Sequence, residues 1–357
     1  MPSNRQEPVS GELFDLSDLG WRSFFMQQLE ADELPLFEIC RVTAVHRSVL
    51  HVLGVDIDRT VAHFSAGDGD AAGFATVGDW LLLDPGTCQP LRLLRRSSLI
   101  KRRAPGKRRG LQLIAANIDT LFIVTSCNQD FNIARLERYL TLAREADVTP
   151  VVVVTKSDLV DDAETFRQSA AELFQGLEVI LVDARKPDQV ATLHPWCGRG
   201  QTVAFVGSSG VGKSTLINTL TGADAISTQA IREDDAKGRH TTSSRQLHRL
   251  ESGGWLIDTP GMRELQLADV QQGIEEVFTD ITELTESCRF RDCRHESEPG
   301  CAVRAATERG EIDQNRLERW KKLLVEDALN TKSLGERRGR DRATGKTPKA
   351  EKKNQRR

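Results

Sequence analysis

The sequence is poor in cysteine and aromatic residues and has no long apolar run. It contains seven cysteines and one tyrosine, and aromatic residues make up 5% of its 357 residues. Seven cysteines are too few for a disulfide scaffold, and a tight group of them more often binds metal in a reducing compartment. No segment approaches the roughly 18 apolar residues that span a bilayer, and the first residues lack the plan of a signal peptide. We therefore expect a cytoplasmic protein that does not engage a membrane.

The net charge is also small, at a formal −3 from 49 basic and 52 acidic residues. The average conceals two basic segments. Residues 92–109 carry nine basic residues and no acid, and residues 335–357 carry ten basic residues and three acids. The rest of the chain has 30 basic and 49 acidic residues, a net −19. The two basic segments are therefore the predicted points of contact with phosphate backbones.

Local patterns predict a multidomain chain. Residues 1–35 form a short amphipathic extension, and residues 36–100 contain five or so short β-branched runs that predict a small β-barrel resembling an OB-fold. In residues 111–280, apolar strands alternate with amphipathic helices, which predicts a parallel sheet covered on both faces. Residues 281–330 combine a cysteine-rich segment with a helix at 312–329. The basic tail, 331–357, is predicted to be disordered when free.

A phosphate-binding motif lies between a predicted strand, 203–206, and a predicted helix, 213–220. Its sequence, GSSGVGKS, fits G-x-x-x-x-G-K-[ST], in which glycines let the backbone wrap a phosphate at a helix N-terminus. Lys213 should reach the β- and γ-phosphates, and Ser214 should bind Mg²⁺. The nucleotide-binding residues predicted here are Gly207, Ser208, Ser209, Gly210, Val211, Gly212, Lys213, Ser214 and Thr215.

Two further motifs follow predicted strands. The DTPG motif places Asp258 where P-loop enzymes hold the Mg²⁺ shell, and Gly261 can offer its N–H to the γ-phosphate. The TKSD motif, residues 155–158, follows VVVVT at the sheet edge where ligands bind. The Asp158 carboxylate can accept from the ring N–H and the exocyclic amine of guanine, a donor pair that adenine lacks. Alternatively, Ser157 or Asp158 merely caps a helix. The base-binding residues predicted are Thr155, Lys156, Ser157 and Asp158.

The cysteine module has metal-ligand spacing. Its pattern is C-x₄-C-x-H-x₅-C, and the ligands it offers are Cys288, Cys293, His295 and Cys301. Three thiolates and an imidazole fill a tetrahedral Zn²⁺ shell and leave no position open for substrate. One structural zinc per chain is therefore predicted.

The base motif precedes the phosphate loop, the reverse of the order in ordinary GTPases. In this the sequence resembles a circularly permuted GTPase, and more specifically the ribosome small-subunit-dependent GTPase A family of ribosome assembly factors. The resemblance covers residues 37–330. The segments that carry it are QLIAANIDTLFIV (112–124), TKSDL (155–159), GSSGVGKSTLIN (207–218), GRHTTS (238–243), IDTPGMREL (257–265) and CRFRDCRHESEPGCAV (288–303).

The resemblance implies an N-terminal OB-fold β-barrel, a central circularly permuted α/β P-loop GTPase domain and a C-terminal zinc-binding α-helical module. It implies GTP hydrolysis, with Mg²⁺, stimulated by the small ribosomal subunit in late assembly, and nucleotide state controlling binding to and release from that subunit and its rRNA. A monomer is expected. Because the barrel segment has few aromatic residues, backbone electrostatics should dominate RNA binding over base stacking.

Three features of the catalytic region follow from the resemblance. Thr241 or Thr242 should close on Mg²⁺ and the γ-phosphate, and His240 is a hypothetical water-positioning residue. Met262 stands where many GTPases carry a water-positioning Gln, so intrinsic hydrolysis should be slow. Thr155 stands where the family usually has Asn, whose amide braces the base and the phosphate loop, so nucleotide affinity is expected to be lower while guanine selectivity is kept.

Two other functions fit parts of the sequence. One is a P-loop ATPase or small-molecule kinase with a structural zinc, which equal affinity for GTP and ATP would favour. The other is a nucleotide-dependent RNA-binding protein with little hydrolysis. The presence of Lys213, Ser214 and Asp258 weighs against the RNA-binding protein. Absence of GTP turnover with purified small subunits would favour it.

Overall fold

The structure is a computed structural model that describes residues 15–30, 33–46, 48–66, 73–103, 111–222, 245–258 and 269–344. The chain divides into two compact units. The first comprises Met1–Arg102 and Leu111–Leu265, and the second comprises Arg103–Gly110 and Gln266–Arg357.

The strands of the described ranges all lie before residue 259. They are β1 (Glu38–Val45), β2 (Val49–Gly54), β3 (Ile57–Ala62), β4 (Trp80–Leu83), β5 (Pro90–Leu93), β6 (Leu99–Arg103), β7 (Leu111–Ala116), β8 (Thr120–Ser126), β9 (Thr149–Thr155), β10 (Glu178–Val182), β11 (Thr202–Gly207), β12 (Arg245–Arg249) and β13 (Trp255–Asp258). The helices are α1 (Ser23–Met26), α2 (Ile133–Glu145), α3 (Glu164–Ala171), α4 (Pro187–Val190), α5 (Lys213–Thr221), α6 (Gln271–Val277), α7 (Thr279–Glu286), α8 (Ala302–Glu308) and α9 (Gln314–Thr344).

A parallel sheet in the order β10-β9-β8-β11-β13 forms the centre of the first unit. Every residue of β8 and of β11 is buried, as expected for strands covered on both faces. Phe122 stacks on Phe205 with ring centroids 4.9 Å apart, and Trp196 packs edge-on against Phe122. The predicted strand 203–206 and helix 213–220 are confirmed as β11 and α5, to within one residue at each end. All these parallel strands end at one edge of the sheet, which carries the motifs described below.

The N-terminal strands are antiparallel and continue the same sheet. β1 pairs with β2 and β4, β2 pairs with β3, and β4 pairs with β5. β1 also pairs with β12, which in turn pairs with β13 of the central sheet. Short strands in residues 36–100 are thus confirmed, while their assignment to an OB-fold stays a prediction.

Arg41 of β1 fastens the N-terminal segment and the two halves of the sheet together. Its side chain is buried, and its guanidinium donates to the carbonyl of Leu19 at 2.6 Å, to Thr202 Oγ1 at 2.8 Å and to the carbonyl of Asn117 at 3.2 Å. Burial lowers the pKa of Arg41 to about 10, so it stays protonated at neutral pH. The indole of Trp255 also donates to the carbonyl of Asp18, at 2.6 Å. The N-terminal segment therefore docks on the sheet through Asp18 and Leu19.

The second unit is helical in its described part. Apolar residues of α6 to α9 form its core, and Arg316 of α9 donates to Asp280 at 2.8 Å while lying 4.7 Å from the ring centroid of Phe278.

α9 continues through Thr344, well beyond the predicted end at 329 and into the predicted tail. Eight of the fifteen residues 330–344 are Ala, Leu, Glu, Lys or Arg, which favour helix once an anchored turn precedes them. Residues 345–357 lie outside the described ranges. No helix in the described part of the chain has the length and apolarity that a bilayer crossing requires.

Candidate nucleotide site and metal cluster

The phosphate-binding motif forms a tight loop between β11 and α5. Gly207 has φ +145°, and a Cβ at this position would lie 2.2 Å from the carbonyl oxygen of Val124, so only glycine fits. Gly212, at φ +96°, immediately precedes α5. The Lys213 ammonium donates to the carbonyl of Gly207 at 2.7 Å and also to that of Ser208. The loop is therefore curled around its lysine at the N-terminus of a helix, where backbone N–H groups favour anions.

Thr155 joins the predicted base motif to this loop. Its buried hydroxyl lies within hydrogen-bond distance of the Val211 carbonyl and, at 3.0 Å, of the Thr125 carbonyl. The family's usual asparagine was expected to brace the phosphate loop through its amide, and here a shorter side chain reaches the loop backbone instead. The two motifs are thus adjacent at the carboxyl edge of β9 and β11.

Asp158 is held by an arginine that sequence reasoning missed. The Arg185 Nη2 donates to Asp158 Oδ2 at 2.7 Å and to Asp183 Oδ2 at 3.0 Å, and Nε donates to Asp183 Oδ1 at 2.9 Å. The hydrogen bond from Arg185 lowers the pKa of Asp183. The alternative in which Ser157 or Asp158 caps a helix is not supported, because the short 3₁₀ turn Ser157–Leu159 follows Lys156 and has no side-chain cap.

Two further contacts position the loops. Thr219 of α5 donates to the carbonyl of Ala184 at 2.8 Å, which ties the helix after the phosphate loop to the segment after β10. Arg135 contacts the Ser208 hydroxyl from the first turn of α2, whose start is fixed by Asn132 accepting the Arg135 N–H at 2.9 Å. A basic residue three positions beyond a strand that ends at the ligand edge is a signal that could have identified Arg185.

The remaining predicted catalytic residues fall mostly outside the described residues. Asp258 ends β13, whose residue Ile257 pairs with Ala204 of β11, so its backbone lies at the same sheet edge as the phosphate loop. Ser214 and Thr215 lie in the first turn of α5. The predictions for His240, Thr241, Thr242 and Gly261 lie in ranges that the structure does not describe.

The structure brings the four predicted metal ligands together. The ligand atoms of Cys288, Cys293, His295 and Cys301 all lie within 4.8 Å of one another, so this cluster could hold a metal ion. His295 Nδ1 is 3.6 Å from Cys288 Sγ and 3.4 Å from Cys301 Sγ, and the two sulfurs are 4.0 Å apart. A tetrahedral zinc with ordinary bond lengths places its ligand atoms about 3.5 to 3.8 Å apart. The spacing fits this ion and is far too long for a disulfide, whose sulfurs lie about 2 Å apart.

Residues around the cluster hold the ligand loop in place. The Glu298 carboxylate accepts backbone N–H groups of Arg294 and Glu296, each at 2.9 Å, and of Ser297 at 3.0 Å. These hydrogen bonds lower the pKa of Glu298 to about 2. Lys321 of α9 donates to the His295 carbonyl at 2.7 Å. The sequence pattern gave the ligands but not this supporting carboxylate.

The protonation states of two ligands suit a metal. Burial lowers the pKa of His295, which favours the neutral imidazole that binds metals. Burial alone would raise the pKa of Cys288, but hydrogen bonds from the backbone of Val303 and Ala302 and from the neighbouring thiols outweigh it and lower that pKa. Both effects favour the metal-binding form of the side chain.

Comparison with known proteins shows close relatives. A family model described as RsgA GTPase matches residues 93–268. The chain is 52% identical over 330 residues to the small ribosomal subunit biogenesis GTPase RsgA of Mesorhizobium japonicum, covering 91% of this chain and 93% of the relative. It is 48% identical to the small ribosomal subunit biogenesis GTPase RsgA 2 of Vibrio vulnificus, covering 95% of each.

Solved structures show the same fold. The crystal structure of YloQ, described as a circularly permuted GTPase, has 27% identity and a TM-score of 0.56, with 81% of this chain and 94% of that chain covered. YjeQ from Thermotoga maritima has 24% identity and a TM-score of 0.59, with 82% and 98% covered. The circularly permuted GTPase fold is therefore present.

Proposed function

Because the chain belongs to the RsgA GTPase family, we propose that it hydrolyses GTP and acts in maturation of the small ribosomal subunit. Membership confirms the family resemblance that motif order and cysteine spacing indicated. The observation that carries the activity is the Thr155 contact with the Val211 carbonyl, which makes the base motif and the phosphate loop adjacent. One nucleotide can then span both, with its base at Asp158 and its phosphates at Lys213.

The proposed reaction is attack of water on the γ-phosphorus, with cleavage of the bond to the bridging oxygen and release of GDP and phosphate. Lys213 would leave the loop carbonyls for the β- and γ-phosphates. Mg²⁺ bound with GTP would neutralise charge on the phosphate oxygens, and Ser214 and Asp258 are the residues we propose to hold it. From the family resemblance, Gly261 would donate its N–H to the γ-phosphate.

The switch roles also remain proposals from the resemblance. Thr241 or Thr242 would close the loop over the γ-phosphate, and His240 would position the attacking water. The thioether of Met262 cannot orient a water, so we propose that turnover is slow without the ribosomal partner.

We propose that the N-terminal strands form an OB-fold barrel that contacts rRNA together with part of the basic segment 92–109. Not every arginine of this segment is available, because Arg92 pairs with Glu33 and Arg96 pairs with the buried Asp79, at 3.0 and 2.7 Å. Arg95 is exposed and is the described residue of the segment that we assign to RNA. The assignment of residues 335–357 to RNA, a monomeric state and a cytoplasmic location stay predictions.

We further propose that the metal is one structural Zn²⁺. Cys288, Cys293, His295 and Cys301 supply four protein ligands, so no coordination position is left for a substrate or a water. The ion would then stabilise the fold of the second unit rather than take part in catalysis.

The experiment that tests the function is GTP turnover with and without purified small subunits at two salt concentrations. We expect slow basal turnover, strong stimulation by subunits and loss of stimulation at high salt, because phosphate contacts release counterions. Lys213→Ala should abolish turnover, and Lys322→Ala, an exposed lysine of α9, should not. Equal affinity for ATP and GTP would instead favour a P-loop ATPase or kinase, and no turnover with subunits would favour an RNA-binding protein.

A further inference from the structure

Arg185 occupies the carboxylate that the proposed function gives to guanine. Its Nη2 lies 2.7 Å from Asp158 Oδ2, and the same guanidinium makes a two-point contact with Asp183 through Nε and Nη2, at 2.9 and 3.0 Å. The Arg185 side chain is 66% exposed, whereas those of Asp158 and Asp183 are 24% and 5% exposed. The carboxylates are thus held by the fold, and the arginine is the part that can move.

The Arg185 guanidinium and the edge of a guanine base present similar hydrogen-bond donors to a carboxylate. Guanine offers its ring N–H and exocyclic amine side by side, and a guanidinium offers N–H groups in a similar planar fork. To accept both guanine donors, Asp158 must use both oxygens, and Arg185 engages one of them with a charge-assisted hydrogen bond. Guanine therefore has to displace the arginine from Asp158.

Asp183 gives the displaced arginine a place to remain. The Nε contact and one Nη2 contact to Asp183 involve neither oxygen of Asp158, so Arg185 can release Asp158 while it stays paired. The backbone N–H of Asp183 donates to Gln189 Oε1 at 2.7 Å, which holds this anchor in place. Exchange between the two arrangements then needs only a small side-chain movement.

We propose that Arg185 is a built-in competitor for the guanine-reading carboxylate, anchored on Asp183, that weakens GTP and GDP binding by the same factor. This inference rests on the proposed function, because it takes Asp158 to read guanine. The competitor acts on the base, which GTP and GDP share, so it leaves their relative affinities unchanged. Its effect is to lower the affinity for both nucleotides without altering the choice between them.

The test is equilibrium binding of GDP and of inosine diphosphate, which lacks the exocyclic amine, to the full-length zinc-containing protein. Arg185→Ala should bind GDP roughly two- to fivefold more tightly, the range expected for removing an exposed ion pair. Inosine diphosphate offers only the ring N–H and needs one Asp158 oxygen, so it can bind beside Arg185 and should gain less. The gain should shrink at high salt, since screening weakens the ion pair in the wild type.

Two variants control for charge and for ion-pair loss in general. Arg185→Lys keeps the positive charge without the planar fork and should give an intermediate gain. Arg167→Ala breaks an exposed pair with Glu164 on α3 and should leave affinity unchanged. Unchanged or weaker GDP binding by Arg185→Ala, or a gain for inosine diphosphate as large as that for GDP, overturns the inference. If the wild type binds GDP no better than ADP, the proposed function itself fails, so the two failures are distinguishable.

Discussion

The hydroxyl of Thr155, at the end of β9, contacts the backbone carbonyl of Val211 in the phosphate loop. This contact connects the segment predicted to read the base with the segment predicted to hold the phosphates. It also shows how a threonine takes over a position at which the family resemblance led us to expect asparagine. The shorter side chain suffices because the loop comes close, with the Thr155 Oγ1 only 3.4 Å from where a Cβ on Gly212 would lie.

Thr155→Val should weaken binding of both GTP and GDP by about tenfold. Valine has nearly the same shape but cannot donate a hydrogen bond, so the single hydroxyl hydrogen within reach of the Val211 and Thr125 carbonyls is lost, at a cost of roughly 1 to 3 kcal/mol. Nucleotide titration measures the affinity, and Thr155→Ser, which keeps the hydroxyl, is the control. Equal affinities for the valine and serine variants would mean that the hydroxyl does not brace the loop.

The sequence predicts the central sheet well because its inner strands are almost entirely buried. The apolar runs of β8, β9 and β11 and the glycines around Lys213 leave few alternatives. The metal cluster is equally predictable, since thiols and imidazole at short spacing have few other uses in a reducing compartment. In both cases the necessary information is local in the sequence.

Contacts between distant residues could not be predicted in this way. Arg41 meets Leu19, Asn117 and Thr202, and Arg185 meets Asp158, because the folded sheet brings them together and not because of any spacing in the chain. The basic segment 92–109 is a second example. Composition marks all its arginines as candidates for RNA binding, but Arg92 and Arg96 form ion pairs with Glu33 and Asp79, which only the folded structure reveals. The end of α9 was predicted too early because charge was given more weight than helix propensity.

Asp158→Asn should change the preferred base from guanine to xanthine. Xanthine carries a carbonyl where guanine has the exocyclic amine, and the asparagine amide can donate to it, whereas the wild-type carboxylate only accepts. Competition binding of GDP and xanthosine diphosphate measures the preference. Asp161→Asn, at an exposed position just beyond the 3₁₀ turn, is the control and should keep the guanine preference. Retention of that preference by Asp158→Asn would assign base reading to another residue.

Arg41→Met should lower the free energy of unfolding by about 3 kcal/mol. The change leaves buried carbonyls of Leu19 and Asn117 without a donor and removes the link between β1 and β11. Denaturant unfolding followed by tryptophan fluorescence suits the measurement, because Trp80 and Trp255 lie in the same region. As the control, Arg59→Met breaks a partly exposed pair with Glu38 and should cost less than about 1 kcal/mol. Similar losses for both variants would show that Arg41 contributes no more than a surface ion pair.

Glu298→Ala should weaken zinc binding by roughly tenfold, the lower end of what loss of a supporting hydrogen bond to a metal site costs. The Glu298 carboxylate accepts three backbone N–H groups from the residues around His295, so its removal frees the loop that carries this ligand. Competition with a chromogenic chelator measures zinc affinity directly and does not depend on GTP turnover. Glu296→Ala removes a neighbouring exposed carboxylate but leaves its backbone N–H in place, and it should retain zinc like the wild type. If the two variants lose zinc equally, the effect comes from the net charge near the site, and the ordering of the loop by Glu298 does not contribute to metal affinity.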